Sequence, residues 1–220
     1  MCFKLLKRQK NNNIKTYEQE LFNTYGNCNK LTKSISVLVF ADTHNMFSYD
    51  TSKLEEVKNM QFDVCLLLGD HSLTDVTEIL KVVPISKVFG IRGNHDKSDI
   101  LTTCGIQNIN GKVINVNGIK IGAIQGSIKY KETTAPLYTH EESLQIAEQL
   151  TNVDILISHD TYFVKDSNEI THDGLKGITE AIYRNHTPVH IHGHLHVNDQ
   201  QTLLNGTKSY GVYGVTLLNL

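Results

Sequence analysis

Between residues 34 and 93, short apolar runs alternate with short amphipathic ones, and this rhythm restricts the fold more than any other feature. "SISVLVFA" (34–41), "FDVCLLLG" (62–69) and "SKVFGIRG" (86–93) are rich in β-branched and apolar residues. Such runs suit strands buried on both faces. "SKLEEVKNM" (52–60) and "DVTEILKVV" (75–83) place apolar residues at helical spacing, and Pro84 stops the second. Parallel strands need a crossover connection, and a helix is what packs back onto the sheet. The segment therefore reads as βαβ units in a parallel sheet.

The second half changes character. "KVINVNGIKIGAIQG" (112–126) sets Asn117 and Gly118 between two alternating runs, a hairpin signal. "EESLQIAEQL" (141–150) and "LKGITEAIYRN" (175–185) read as helices. "VDILIS" (153–158) and "VHIH" (189–192) read as strands, and 200–218 as closing antiparallel strands. The expected fold is α/β: a four-layer α/β/β/α sandwich of two mixed sheets flanked by helices. No internal repeat or long linker divides it, so residues 34–220 are expected to form one domain. Residues 1–33 are expected to be a basic extension. In it, Ile14, Tyr17, Leu21, Phe22 and Tyr25 fall at helical spacing before Gly26, after a polar break at 11–13.

Charge supports that division. The formal net charge is −2. Residues 1–33 carry seven basic and two acidic residues, a balance of +5, which leaves −7 on the rest. An acidic body gives no general attraction to nucleic acid, so nucleic-acid binding through the basic arm stays a secondary reading. Cys2, Cys28, Cys65 and Cys104 have no CxxC spacing and read as reduced thiols. "MCFKLLKRQK" lacks a following apolar stretch, and no apolar run approaches the length of a membrane span. A cytoplasmic protein without membrane contact is expected.

The polar residues gather where the apolar runs stop. "ADTHN" supplies Asp42 and His44, "GDH" supplies Asp70, and "GNHD" supplies Asn94, His95 and Asp96. "SHD" supplies His159, and "GHLH" supplies His194 and His196. In open α/β sheets, sites form beyond the carboxyl ends of the strands. "VHIHGHLHV" (189–197) has four histidines at spacing two, which an unbroken strand would crowd onto one face. Gly193 is the expected break, so His190 and His192 belong to the strand. The donors are oxygen and nitrogen without thiolate, which suits Mn²⁺, Fe or Zn²⁺. They are too many for one tetrahedral ion and suit two ions sharing a carboxylate. Such a pair can clamp both oxygens of a phosphoryl transfer and lower the pKa of a water to give hydroxide.

In order and spacing, "DTH", "GD", "GNHD", the strand-end histidine and "GHLH" resemble the calcineurin-like metallophosphoesterase superfamily over roughly residues 35–200. The resemblance implies that Asp42, His44 and His196 hold one ion and that Asp70 bridges. Asn94, His159 and His194 would hold the other. His95 would face the phosphate, and Asp96 would fix its tautomer. The implied cofactors are two divalent ions, Mn²⁺ foremost, with Fe, Zn²⁺ or Ni²⁺ as alternatives.

"GDHSLTD" lacks the extended "GDxVDRG" of the protein-phosphatase branch, and no segment is long enough for a nuclease capping domain. The chain looks like the small prokaryotic-type phosphodiesterases, hydrolysing a small phosphate ester or nucleotide with metal-bound hydroxide. A nucleotide phosphomonoesterase or a metal-poor scaffold of the same fold are the alternatives, and a homo-oligomer is open. Loops 45–53, 126–140 and 160–173 would choose the substrate. His71, His172 and Lys129 are candidate substrate contacts, with Lys131, and with Tyr130 or Tyr138 for stacking. His71 reads more readily as a surface turn than as a substrate contact, and Asp160 equally as a ligand-orienting group or plain loop. His140 and His186 read as helix-end residues.

Overall fold

The computed structural model describes residues 17–96, 98–164 and 170–220. Helix α1 spans 17–25 and stops at Gly26, whose φ of 77° suits glycine. Ile14 and the polar break at 11–13 lie outside the described residues. The first sheet is built from β1 (Ser36–Ala41), β2 (Val64–Leu67), β3 (Val88–Gly90) and β4 (Gln107–Asn108), all parallel, with β13 (Gly214–Asn219) antiparallel on the edge beside β1. The second runs β11 (Asp199–Thr202), β12 (Lys208–Gly211), β10 (Val189–His192), β9 (Ile155–Ser158), β6 (Ile119–Ile124), β5 (Val113–Val116). A two-stranded ribbon of β7 (Ser127–Ile128) and β8 (Leu137–Tyr138) leaves the end of β6. Both large sheets are mixed, as expected.

Period-two alternation decides the layers. Val37, Val39 and Ala41 of β1 and Leu66 of β2 face Ile119, Ile121, Ile155, Ile157 and Ile191 in a core between the sheets. Leu38, Phe40, Cys65 and Leu67 point the other way. They pack under α2 (Met46–Tyr49), α3 (Ser52–Val57), α4 (Leu73–Leu80) and α5 (Ile100–Thr103) through Phe47, Leu54, Val76, Ile79 and Leu101. The outer face of the second sheet, through Ile124 and Leu156, is covered by α6 (His140–Glu148) and α7 (Lys176–Arg184). Helix α1 joins that layer: Leu21 packs into the same cluster, Tyr183 donates to Glu18 at 2.6 Å, and Tyr25 donates to Glu180 at 2.9 Å. The result is four layers, α/β/β/α.

The strand after 86 is shorter than its apolar run, because a 3-10 turn (Ile85–Lys87) precedes it. The 200–218 segment divides: β11 and β12 form an antiparallel hairpin, while β13 crosses to close the other sheet. Asn117 (φ 55°) and Gly118 (φ 90°) both adopt the left-handed conformation, which matches the twist of a two-residue hairpin joining β5 and β6. Among the described residues, no helix is long and apolar enough to cross a membrane.

Candidate metal centre

The carboxyl ends of β1, β2, β3, β9 and β10 meet at one place. The loops are tied by backbone bonds: Asp42 donates to Gly69, His44 to Asp70, and Gly193 to His159, each at 3.1 Å. Asp42 (φ 51°), His44 (41°), Asp70 (57°), His194 (67°) and His196 (52°) all sit in the left-handed region. Each non-glycine residue there costs on the order of 1 kcal/mol or more. Five such residues in one cluster mark a site over-determined by its surroundings.

Glycines let the loops close. A Cβ on Gly93 would stand 2.1 Å from Asp70 Oδ1, and one on Gly193 would stand 2.5 Å from Asp42 Oδ2. Gly193 is thus the break expected in the histidine run. His190 and His192 stay in β10, their rings stacked at 5.2 Å. His190 is satisfied by the hydroxyls of Ser158 and Ser209, each at 2.8 Å.

Two donor groups share Asp42. Asp42, His44 and His196 form one; Asp42, Asp70 and His159 form the other. Asp70 Oδ2 of the second group also approaches the first: it lies 3.5 Å from His159 Nε2 and 3.7 Å from His44 Nε2. Asp42 Oδ1 is 3.5 Å from His196 Nε2. These spacings are long for hydrogen bonds but close to the roughly 3.3 Å between two tetrahedral ligands of one cation. The rings follow the same division: His44 neighbours His196 at 5.3 Å, and His159 neighbours His194 at 5.1 Å.

Tautomers are set from outside. His159 Nδ1 donates to the Leu68 carbonyl and His194 Nε2 to the Thr171 carbonyl, both at 2.8 Å. That leaves His159 Nε2 and His194 Nδ1 facing inward. Asn94 Oδ1 stands 2.7 Å from His159 Nε2. Asp70 Oδ1 accepts the His95 amide and Asp42 Oδ2 the His194 amide, both at 2.8 Å. Asp42 Oδ1 is buried and has no hydrogen-bond partner.

The electrostatics show the same demand for positive charge. Burial pushes Asp42 up, partly offset by His159. Burial also opposes ionisation of Asp70, but His159 outweighs it and holds the carboxyl well below its usual range. His159 is pulled down by burial yet driven up to about 10 by Asp70 and then Asp42. His194 is pushed down to about 3 by burial and by His159. The donor set fits divalent cations: two buried carboxylates, an orphaned oxygen and an amide oxygen converge with imidazoles.

A family model described as the calcineurin-like phosphoesterase superfamily domain matches residues 35–219. The chain belongs to this superfamily. No curated protein sequence matches it. Solved structures share the fold at low identity. Phosphopantetheinyl hydrolase (PptH) from Mycobacterium tuberculosis is 11% identical with a TM-score of 0.54, covering 81% of this chain and 89% of that one. A dimetal phosphatase from Danio rerio is also 11% identical with a TM-score of 0.54, covering 82% and 87%.

In this calcineurin-like chain the other candidate residues divide. His95 is exposed at the mouth, its ring 5.6 Å from that of His44. The expectation that Asp96 fixes the His95 tautomer needs correcting. Asp96 Oδ2 accepts the amides of Gly93 at 2.7 Å and Asp70 at 3.0 Å, so it braces the loop carrying the Asp70 carboxylate. His71 is no surface turn: it is buried, its Nδ1 bonds Thr43 Oγ1 at 2.8 Å, and Thr43 donates to Asp75 at 2.8 Å. Lys129 is exposed and pairs with Glu132 at 2.9 Å, which turns its charge toward its own loop. The His172 ring lies 5.3 Å from that of His194, beside the centre. Asp160 is buried and accepts the amides of Ile128 and Thr161, so it is a strut for the 126–130 loop. Tyr130 on that loop places its hydroxyl 3.5 Å from Asn94 Nδ2. Asp75 is not singled out in the sequence, because the Thr43 hydroxyl and the Asn45 and Phe47 amides that it accepts lie about thirty positions away.

Proposed function

We propose that this chain is a dinuclear metal-dependent phosphoesterase acting on a small phosphate diester. Residues 34–220 would form the catalytic domain and residues 1–33 an extension. The observation that carries the reading is Asp70 Oδ2 standing between His44 and His159, beside the orphaned Asp42 Oδ1. Asp42, His44 and His196 would hold one ion, Asn94, His159 and His194 the other, and Asp70 would serve both. When bound, such ions neutralise phosphate charge and activate water, and Mn²⁺ suits this oxygen and nitrogen set.

The protein's own groups do the rest. His95 stands exposed at the mouth and donates a proton to the departing ester oxygen. Its amide bond to Asp70 Oδ1 keeps the ring's loop in place. Tyr130 faces the same opening and offers its hydroxyl to a phosphate oxygen. Asp96 keeps the 93–96 turn against Asp70 and touches no substrate.

The test is hydrolysis of bis(p-nitrophenyl) phosphate by chelator-stripped protein, with and without Mn²⁺, at neutral pH. Turnover restored by Mn²⁺ is the expected outcome. Turnover of p-nitrophenyl phosphate alone would move the reading to a phosphomonoesterase. Absence of both turnover and bound metal would leave a scaffold of the same fold.

A further inference from the structure

Beside the metal centre, a cavity of about 290 Å³ opens between the segment after β9, the end of β10 and the edge strand β11. It lies near the lower end of small-molecule pockets. Tyr162, Val164 and Leu195 give it apolar walls, and Thr161, His192 and Gln201 give it polar edges. Among the described residues that line it there is no lysine, arginine or carboxylate. That described lining suits an uncharged, partly apolar group.

The cavity is built. The Tyr162 hydroxyl donates to Gln201 Oε1 at 2.7 Å, and Gln201 Nε2 donates to Asp199 at 2.9 Å. Tyr162 also bridges to Leu175 through the backbone. Thr161 and His192 are buried. The cavity neighbours the centre: His172 lines it with its ring 5.3 Å from that of His194, and its Leu195 is the residue between His194 and His196. Apolar walls with hydrogen-bonding groups at the margin suit a flat heteroaromatic ring, which stacks on its faces and bonds at its edge.

We propose that this cavity receives the ring of the group esterified to the phosphate, a nucleobase-type heterocycle, while the phosphate lies at the metal centre. This rests on the phosphoesterase reading. It assigns ring recognition to the 160–164 segment and β11, which the chemistry itself does not use.

The test is binding rather than turnover. Adenosine 5′-monophosphate and methyl phosphate are titrated calorimetrically into Mn²⁺-loaded protein. A stacked and edge-bonded ring gives the nucleotide an advantage of about tenfold. Val164→Trp fills the cavity without touching a candidate ligand, so it should remove that advantage and leave methyl phosphate unchanged. Should Val164→Trp not fold, Gln201→Ala on the exposed edge strand decides. It should weaken the nucleotide about threefold and methyl phosphate not at all. Equal binding of both phosphates by the wild type, or an advantage that survives both substitutions, overturns the inference alone. Failure of metal-loaded protein to bind either phosphate overturns the phosphoesterase reading with it.

Discussion

His95 and Gly93 test the centre atom by atom. His95 is the exposed imidazole at the mouth, and a positioned acid contributes about 10²–10⁴-fold in rate. His95→Ala should keep both metals, measured by elemental analysis, and lose turnover in that range. Wild-type hydrolysis by this variant would remove the role given to it. Gly93→Ala acts differently, because its Cβ would meet Asp70 Oδ1 at 2.1 Å. It should displace the Asp70 carboxylate and lower metal content, while Gly111→Ala, strained by a φ of 66° but meeting only Gln149 at 3.2 Å and Ile146 at 3.7 Å, should cost stability and leave metal content unchanged. Tyr130→Phe removes one hydroxyl near Asn94 and should reduce kcat with little change in melting temperature. Much of this was legible. Polar residues ending five apolar runs can converge only at one rim of the sheets, so Asp42, Asp70, His159 and His194 could be placed from order alone. The left-handed φ at Asp42 and Asp70 could not, since carboxylates in the sequence carry no trace of the turn that bends them inward. Nor could the Asp96 contacts, which are to amides rather than to the neighbouring ring.

Helix α4 shows what an element adds. Its Ser72 cap accepts the Asp75 amide, and Asp75 returns a bond to the Ser72 amide at 3.3 Å, a capping box. Asp75 then does more, accepting Thr43 Oγ1 and the amides of Asn45 and Phe47 at 2.7–2.8 Å. One carboxylate thus fastens the loop that carries Asp42 and His44 onto α4. Burial alone would raise the Asp75 pKa, but the Phe47 amide and the Thr43 hydroxyl outweigh it and hold it below the ordinary value. A depressed pKa stabilises the fold above the unfolded value, near 4, and that stability is lost as pH falls through the lower folded value. Asp75→Asn in metal-free protein should therefore cost about 2–3 kcal/mol at pH 7 in urea unfolding. The difference from wild type should shrink toward pH 3. A difference that grows on acidification would contradict this account. The helix was expected over 75–83 from its apolar spacing, without its Ser72 capping box; the clasp on the 43–47 loop was not expected, because tertiary side chain–backbone bonds leave no local pattern.

Across the whole molecule, the sheets are easy to form and the centre is not. Alternate residues of β1 and β2 fill the inter-sheet core and the helix-facing core in turn, which is why these runs are apolar throughout, as expected of strands buried on both faces. The route of β13 was not legible, since a closing strand of apolar residues fits the edge of either sheet. Against those cores stands one end of the molecule where Asp42 and Asp70 are buried together on strained backbone, with an oxygen unpaired. Ligands there come from both sheets, so only the folded chain assembles them, and any ion they hold stabilises folded over unfolded protein. At a free Mn²⁺ concentration of 100 times Kd the gain is about 2.7 kcal/mol, or roughly 5–10 °C in Tm for a chain of this size. Chelator-treated protein should melt lower by that amount, Mn²⁺ should restore it, and Asp70→Asn should flatten the response. An unchanged Tm across chelator and Mn²⁺ would mean that the rim gathers these groups without binding an ion.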